Sequence, residues 1–88
     1  MSDTPWSIGF TGRADKDIQR LDHTVRSRVI RGLEALASDP DSRSLRKLTG
    51  RAESRLRVGD SRVLIELDRQ TRTIIVHRVL PRGRAYDR

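Results

Sequence analysis

The chain contains no cysteine, which excludes disulfides and thiolate metal sites and fits a reducing compartment. Aromatic residues are scarce: Trp6, Phe10 and Tyr86 are the only three in 88 residues. Proteins that read free single strands do so by stacking bases on aromatic rings, and this chain offers too few for such a platform. Long apolar runs are missing too. No stretch approaches the ~20 apolar residues that span a bilayer. The N-terminal Met1-Ser2-Asp3-Thr4-Pro5 lacks the basic flank and apolar core of a signal peptide. The expectation is a soluble, cytoplasmic protein forming one small domain over residues 1–88, to which a bound partner would add stability. No carboxylate pair, metal-ligand cluster or phosphate loop stands out in the sequence, so neither a metal nor a cofactor is expected.

Arginine is what the chain has in abundance. The net charge is +7, and 17 of the 19 basic residues are arginine. The charge is lopsided: residues 1–42 carry 6 basic and 7 acidic groups, residues 43–88 carry 13 and 5. A basic half beside a near-neutral half implies a phosphate-binding surface, an acidic protein partner, or both.

The near-neutral half reads as a strand and two helices. Trp6-Ser7-Ile8-Gly9-Phe10 alternates, with Trp6, Ile8 and Phe10 expected inward. Thr11 is a candidate N-cap for a helix whose Ala14, Ile18 and Leu21 make one apolar stripe, with Asp15 and Asp17 complementing the dipole of its first turn. Asp22 is expected to cap a second helix, from about His23 to Ala37, that buries Val25, Val29, Leu33, Leu36 and Ala37. Almost no loop joins the two, which implies an antiparallel helical hairpin. Gly32 either permits a close approach to the sheet or is merely tolerated. Asp39-Pro40 ends the helix, and His23 reads as a surface residue.

The basic half is organised around Arg55-Leu56-Arg57-Val58-Gly59-Asp60-Ser61-Arg62-Val63-Leu64-Ile65-Glu66-Leu67, two antiparallel strands joined by a tight turn at Gly59-Asp60. Alternation puts Leu56, Val58, Val63, Ile65 and Leu67 on the buried side and Arg55, Arg57 and Arg62 on the other. Adjacent like charges on a sheet repel, so a purely structural hairpin gains nothing from these arginines; a bound polyanion would reverse the sign. A further strand, Thr73 to Leu80, follows a turn at Asp68–Thr71. Its unbroken apolar run leaves open which faces His77 and Arg78 take. The expected fold is α+β, in the order β-α-α-β-β-β: a small antiparallel-rich sheet with a helical hairpin on one face.

The second helix ending in "LASDP", then "LRKLTG", "RLRVGDSRVLIELD" and "HRVLPRGRAY", together resemble the RelE/ParE superfamily of toxins from type II toxin–antitoxin systems over nearly the whole chain. The resemblance implies either a RelE-like enzyme that cuts mRNA in the ribosomal A site or a ParE-like inhibitor of gyrase. It implies a cognate antitoxin, RelB-like or similar, in a hetero-oligomer with the toxin. Matched motif by motif, the RelE-type catalytic positions fall on Arg55, Arg57, Arg62, Arg82 and Tyr86. The chain departs from the pattern at Ser61, where an aromatic residue is common, and at Pro81, where histidine is.

The chemistry suits these residue types. Metal-free RNA cleavage must deprotonate a 2′-hydroxyl, stabilise charge on the phosphate and protonate the leaving oxygen. Arginine binds phosphate oxygens in a bidentate fork and stays charged, which serves the second task. Tyr86 among guanidinium groups is a candidate base, since nearby positive charge favours phenolate, and equally a ring for a base to stack on. Arginine is a poor proton donor, which makes His77 a candidate general acid. Lys47, Arg51, Arg84 and Arg88 are candidate RNA contacts outside the chemistry. The C-terminal spacing of Arg82 and Tyr86 favours the enzyme over the gyrase inhibitor. A non-catalytic or degenerate nucleic-acid-binding homologue is the remaining alternative.

Overall fold

A computed structural model describes residues 4–40, 45–47 and 53–81, the strand at 45–47 and residue 53 by backbone alone. The element order is β1 (Ser7–Phe10), α1 (Gly12–Arg20), α2 (His23–Ser38), β2 (Leu45–Lys47), β3 (Glu53–Val58), β4 (Ser61–Asp68) and β5 (Thr73–Leu80). The strands form one sheet in the order β1-β5-β4-β3-β2. β1 runs parallel to β5 and the remaining pairs are antiparallel. The α+β architecture is the expected one with an element added: β2, three residues at the sheet edge, which the expected order β-α-α-β-β-β does not include.

Both helix starts follow from their caps. Thr11 Oγ1 accepts the Ala14 N–H at 3.2 Å, and Asp22 Oδ1 accepts the Val25 N–H at 3.1 Å. Arg26 of α2 turns back and donates to the Leu21 carbonyl and to the Ile18 carbonyl, which also accepts the Leu21 N–H, closing the end of α1. The helices lie on one face of the sheet. Ala14, Leu21, Val29, Leu33, Leu36 and Ala37 bury against Leu56, Val63, Ile65, Ile74, Val76 and Val79. Each large aliphatic among these contributes ~1.5–3 kcal/mol by leaving water.

Three local features differ from, or decide between, the sequence expectations. Phe10, expected inward, is 40% exposed. It sits at the end of an edge strand, where the chain leaves the sheet directly for α1, and alternation alone does not supply a cover. Gly32 is a close approach: a Cβ there would come within 2.8 Å of Val58 Cγ2. Asp17, expected to serve the α1 dipole, instead accepts Arg78 Nε at 2.8 Å and the Val79 N–H at 2.9 Å, joining α1 to β5.

Turn chemistry fixes the register of the hairpins. Gly59 has φ +57° while Asp60 does not take a positive φ, the pattern of a type II′ turn that matches strand twist. Val58 therefore pairs with Ser61, and Arg57 with Arg62. Between β4 and β5, Asp68 Oδ1 accepts the Gln70 and Thr71 N–H groups, and Arg72 adopts φ +52°. No described helix is long and apolar enough to cross a membrane.

Candidate active site

The face of the sheet away from the helices carries the candidate chemistry. Leu56 and Val63 point into the core, so their neighbours Arg55, Arg57 and Arg62 take the open face, as alternation requires. Arg57 stands directly opposite Arg62, one step beyond the hydrogen-bonded pair that flanks the turn. Pairs at such positions bring side chains closest. Arg55 aligns with Leu64 on the same face. A short hairpin thus gathers three guanidinium groups above an apolar sheet, a surface that attracts phosphate.

His77 joins this face by alternation from buried Ile74 and Val76, and a bulge falls at the same point. Leu64 aligns with Arg78 and Ile65 with Val76, which leaves His77 without a cross-strand partner. Its Nε2 lies 3.0 Å from Glu66 Oε1 on β4. Arg78 goes the other way, to Asp17 of α1. Burial pushes the Asp17 carboxyl up, but the hydrogen bonds from Arg78 and Val79 N–H and the charges of Arg78 and Arg20 outweigh it. The carboxyl is held below its ordinary range. The same hydrogen bond raises the Arg78 guanidinium above its ordinary value, against the opposing effect of burial. Arg78 is therefore committed to the fold.

The remaining candidates are placed differently. Lys47 lies in β2 in register with buried Ser54, whereas its neighbour Arg46 is in register with Arg55. Arg51, Arg82, Arg84, Tyr86 and Arg88 lie outside the described residues. Sequence reasoning missed Glu66 as the partner of His77. Its signal was there, since Glu66 alternates with Ile65 and Leu67 onto the arginine face, but an unbroken apolar run does not say which face His77 takes. Among the described residues no group of three or more His, Asp or Glu side chains could hold a metal ion.

A helical hairpin on one face of an antiparallel-rich mixed sheet, with an arginine-bearing open face, defines the class: a RelE/ParE-type toxin fold. The toxin–antitoxin complex RelBE2 from Mycobacterium tuberculosis matches with TM-score 0.80 at 24% identity, over 90% of this chain and 100% of that one. The RelB–RelE antitoxin–toxin complex from Methanococcus jannaschii matches with TM-score 0.71 at 27% identity, over 90% and 95%. A chromosomal ParDE system from P. aeruginosa matches with TM-score 0.70 at 12% identity, over 89% and 97%. No curated protein matches by sequence. The family model for the ParE toxin of the type II toxin–antitoxin system parDE matches residues 8–86, and the chain belongs to that family.

Proposed function

We propose that the protein is a RelE-like toxin that cleaves mRNA in the ribosomal A site without metal, inhibiting translation, and that a cognate antitoxin neutralises it. The observation that carries this reading is Arg57 opposite Arg62, with Arg55 on the same face. Like charges directly opposite on a sheet cost stability, and phosphate is the ligand that repays the cost. In this mechanism Arg55, Arg57, Arg62 and Arg82 bind the scissile phosphate and stabilise its developing charge. Removing one such donor costs ~10²-fold or more in rate. Tyr86 takes the 2′-hydroxyl proton. Lys47, Arg51, Arg84 and Arg88 hold RNA or ribosome away from the reacting atoms. The ribosome supplies the orientation that three aromatic residues cannot.

The antitoxin is proposed to be an acidic or amphipathic segment covering the arginine face. Support comes from the relatives solved as toxin–antitoxin complexes. A second reading, inhibition of gyrase without chemistry, is favoured by the ParE family match itself. Primer extension on an mRNA in a translation extract separates the two. New 5′ ends inside codons, appearing only with ribosomes, are the expected result. Intact mRNA together with blocked supercoiling by gyrase would replace the first reading with the second. Intact mRNA with normal supercoiling would leave a non-catalytic homologue.

A further inference from the structure

Glu66 and His77 form a polar pair on the arginine face that phosphate binding does not use. The His77 and Glu66 side chains are 31% and 38% exposed, so both are within reach of a ligand on this face. Two independent features place His77 there. His77 alternates with buried Ile74 and Val76 onto the open face, and the bulge leaves it unpaired, with His77 and Arg78 between Val76 and Val79 where regular alternation has one residue. Bulges of this kind re-aim a side chain and are over-represented next to active sites. The second feature is the 3.0 Å contact to Glu66. An ionised carboxylate offers only acceptors, so the ring proton of the pair sits on Nε2 and Nδ1 is left for chemistry. Across the face, Leu64 of β4 pairs with Arg55 on β3 and with Arg78, next to His77, on β5, so Arg55 and His77 are about two strand spacings, ~10 Å, apart at the backbone. A phosphate gripped by a long guanidinium side chain over Leu64 brings its leaving oxygen toward the imidazole. By register, the charged positions of the neighbouring strands on this face are Glu53, Arg55 and Arg57 of β3 and Arg62 and Glu66 of β4, with Arg46 of β2 beyond them.

We infer that Glu66 is a positioning residue that fixes the His77 ring with Nδ1 as its proton-transferring nitrogen, and that His77 protonates the leaving 5′-oxygen. The inference rests on the mRNA-cleavage reading. The 2′-oxygen gives its proton to the base and bonds to phosphorus. The bond from phosphorus to the 5′-oxygen breaks, and the Nδ1 proton of the imidazolium moves to that oxygen. A 2′,3′-cyclic phosphate and a 5′-hydroxyl result, with neutral His77 still donating Nε2–H to Glu66. Arginine holds its proton too tightly for this step, which is why the arginine cluster needs a neighbour of another kind.

The test uses the full chain and its Glu66→Gln and His77→Gln variants, in single-turnover cleavage of ribosome-bound mRNA. His77→Gln should slow cleavage ~10²-fold at saturating ribosomes with little change in the half-saturating concentration. Glu66→Gln should slow it by a smaller factor. Long-range proton–nitrogen NMR of the free protein should show the Nε2–H tautomer of His77, lost to a mixture in Glu66→Gln; the loss of rate at saturating ribosomes is the readout that a merely structural pair would not move. Thermal melting of both variants should match the wild type. If wild type cleaves and His77→Gln cleaves equally fast, or the ring carries its proton on Nδ1, the inference fails while the cleavage reading stands. If wild type makes no cuts at all, the cleavage reading fails and takes the inference with it.

Discussion

Gly32→Ala sets two opposing effects against each other, and the structure decides between them. Alanine stabilises a helix interior by ~1 kcal/mol relative to glycine, so α2 by itself would gain. The new Cβ would lie 2.8 Å from Val58 Cγ2 and 3.5 Å from Cγ1. Val58 cannot easily yield, because a β-branched side chain has little freedom at χ1 and β3 is held between β2 and β4. Overpacking of this kind costs ~1–3 kcal/mol. The net expectation is a loss of about 1 kcal/mol, which lowers Tm by ~4–8 °C in a domain this small. Urea denaturation would give the number. The decisive variant is Val58→Ala, which removes both clashing methyls. In that background Gly32→Ala should turn stabilising, by up to ~1 kcal/mol, because only the helix propensity remains. A stabilising effect in the wild-type background, or an equal loss in both, would refute the close-contact argument.

The other predictions concern a part-buried carboxylate, the arginine pair and a cap. Asp17→Asn should destabilise by ~1–3 kcal/mol near neutral pH, since the Arg78 side chain and the Val79 N–H both lose a charged acceptor. The folded-state pKa of Asp17 is depressed, so its contribution is complete above the unfolded value of ~3.9 and is lost as pH falls through the lower folded value. The stability gap between wild type and Asp17→Asn, followed by denaturation against pH, should therefore close in acid. A gap that widened there would contradict the assignment. Arg57→Thr should raise stability by ~0.2–1 kcal/mol, most at low salt, by removing a like charge opposite Arg62, while weakening toxicity in a growth assay. Thr11→Ala should cost ~1 kcal/mol in thermal melting, because Thr11 caps α1 and also donates to the His77 carbonyl at 3.2 Å.

Those residues also mark how far the sequence could be read. Thr11, Asp22, the α2 stripe and the Gly59-Asp60 turn were legible because local spacing and cap chemistry decide them. The arginine face was legible because strict alternation leaves Arg55, Arg57 and Arg62 one side to occupy. What escaped depends on contacts between distant segments. Asp17 looked like a helix-dipole residue, since nothing local reveals that β5 passes beside α1. In Thr73–Leu80 the apolar residues flank His77-Arg78 on both sides and offer side chains to both faces, which hides the register of the strand, and Phe10 follows the pattern of a buried residue up to the point where cover runs out. The candidate site was half legible for the same reason: β3 and β4 declare their faces, and β5 does not.

The parallel pairing of β1 with β5 fixes an order of assembly. Ser7 aligns with Thr73, and the Thr11 side chain reaches the carbonyl of His77, 66 positions away. β1 has no other neighbour in the sheet, so it stays unplaced during synthesis until β5 has been made. Both helices have been made long before that, when the core still lacks Ile74, Val76 and Val79. Long-range closure of this kind is slow and leaves apolar surface open while it is pending. His77 and its bulge arrive with the same strand, so the Glu66–His77 pair is made only when the sheet closes. A chain interrupted before Thr73 would have neither a closed sheet nor a finished surface.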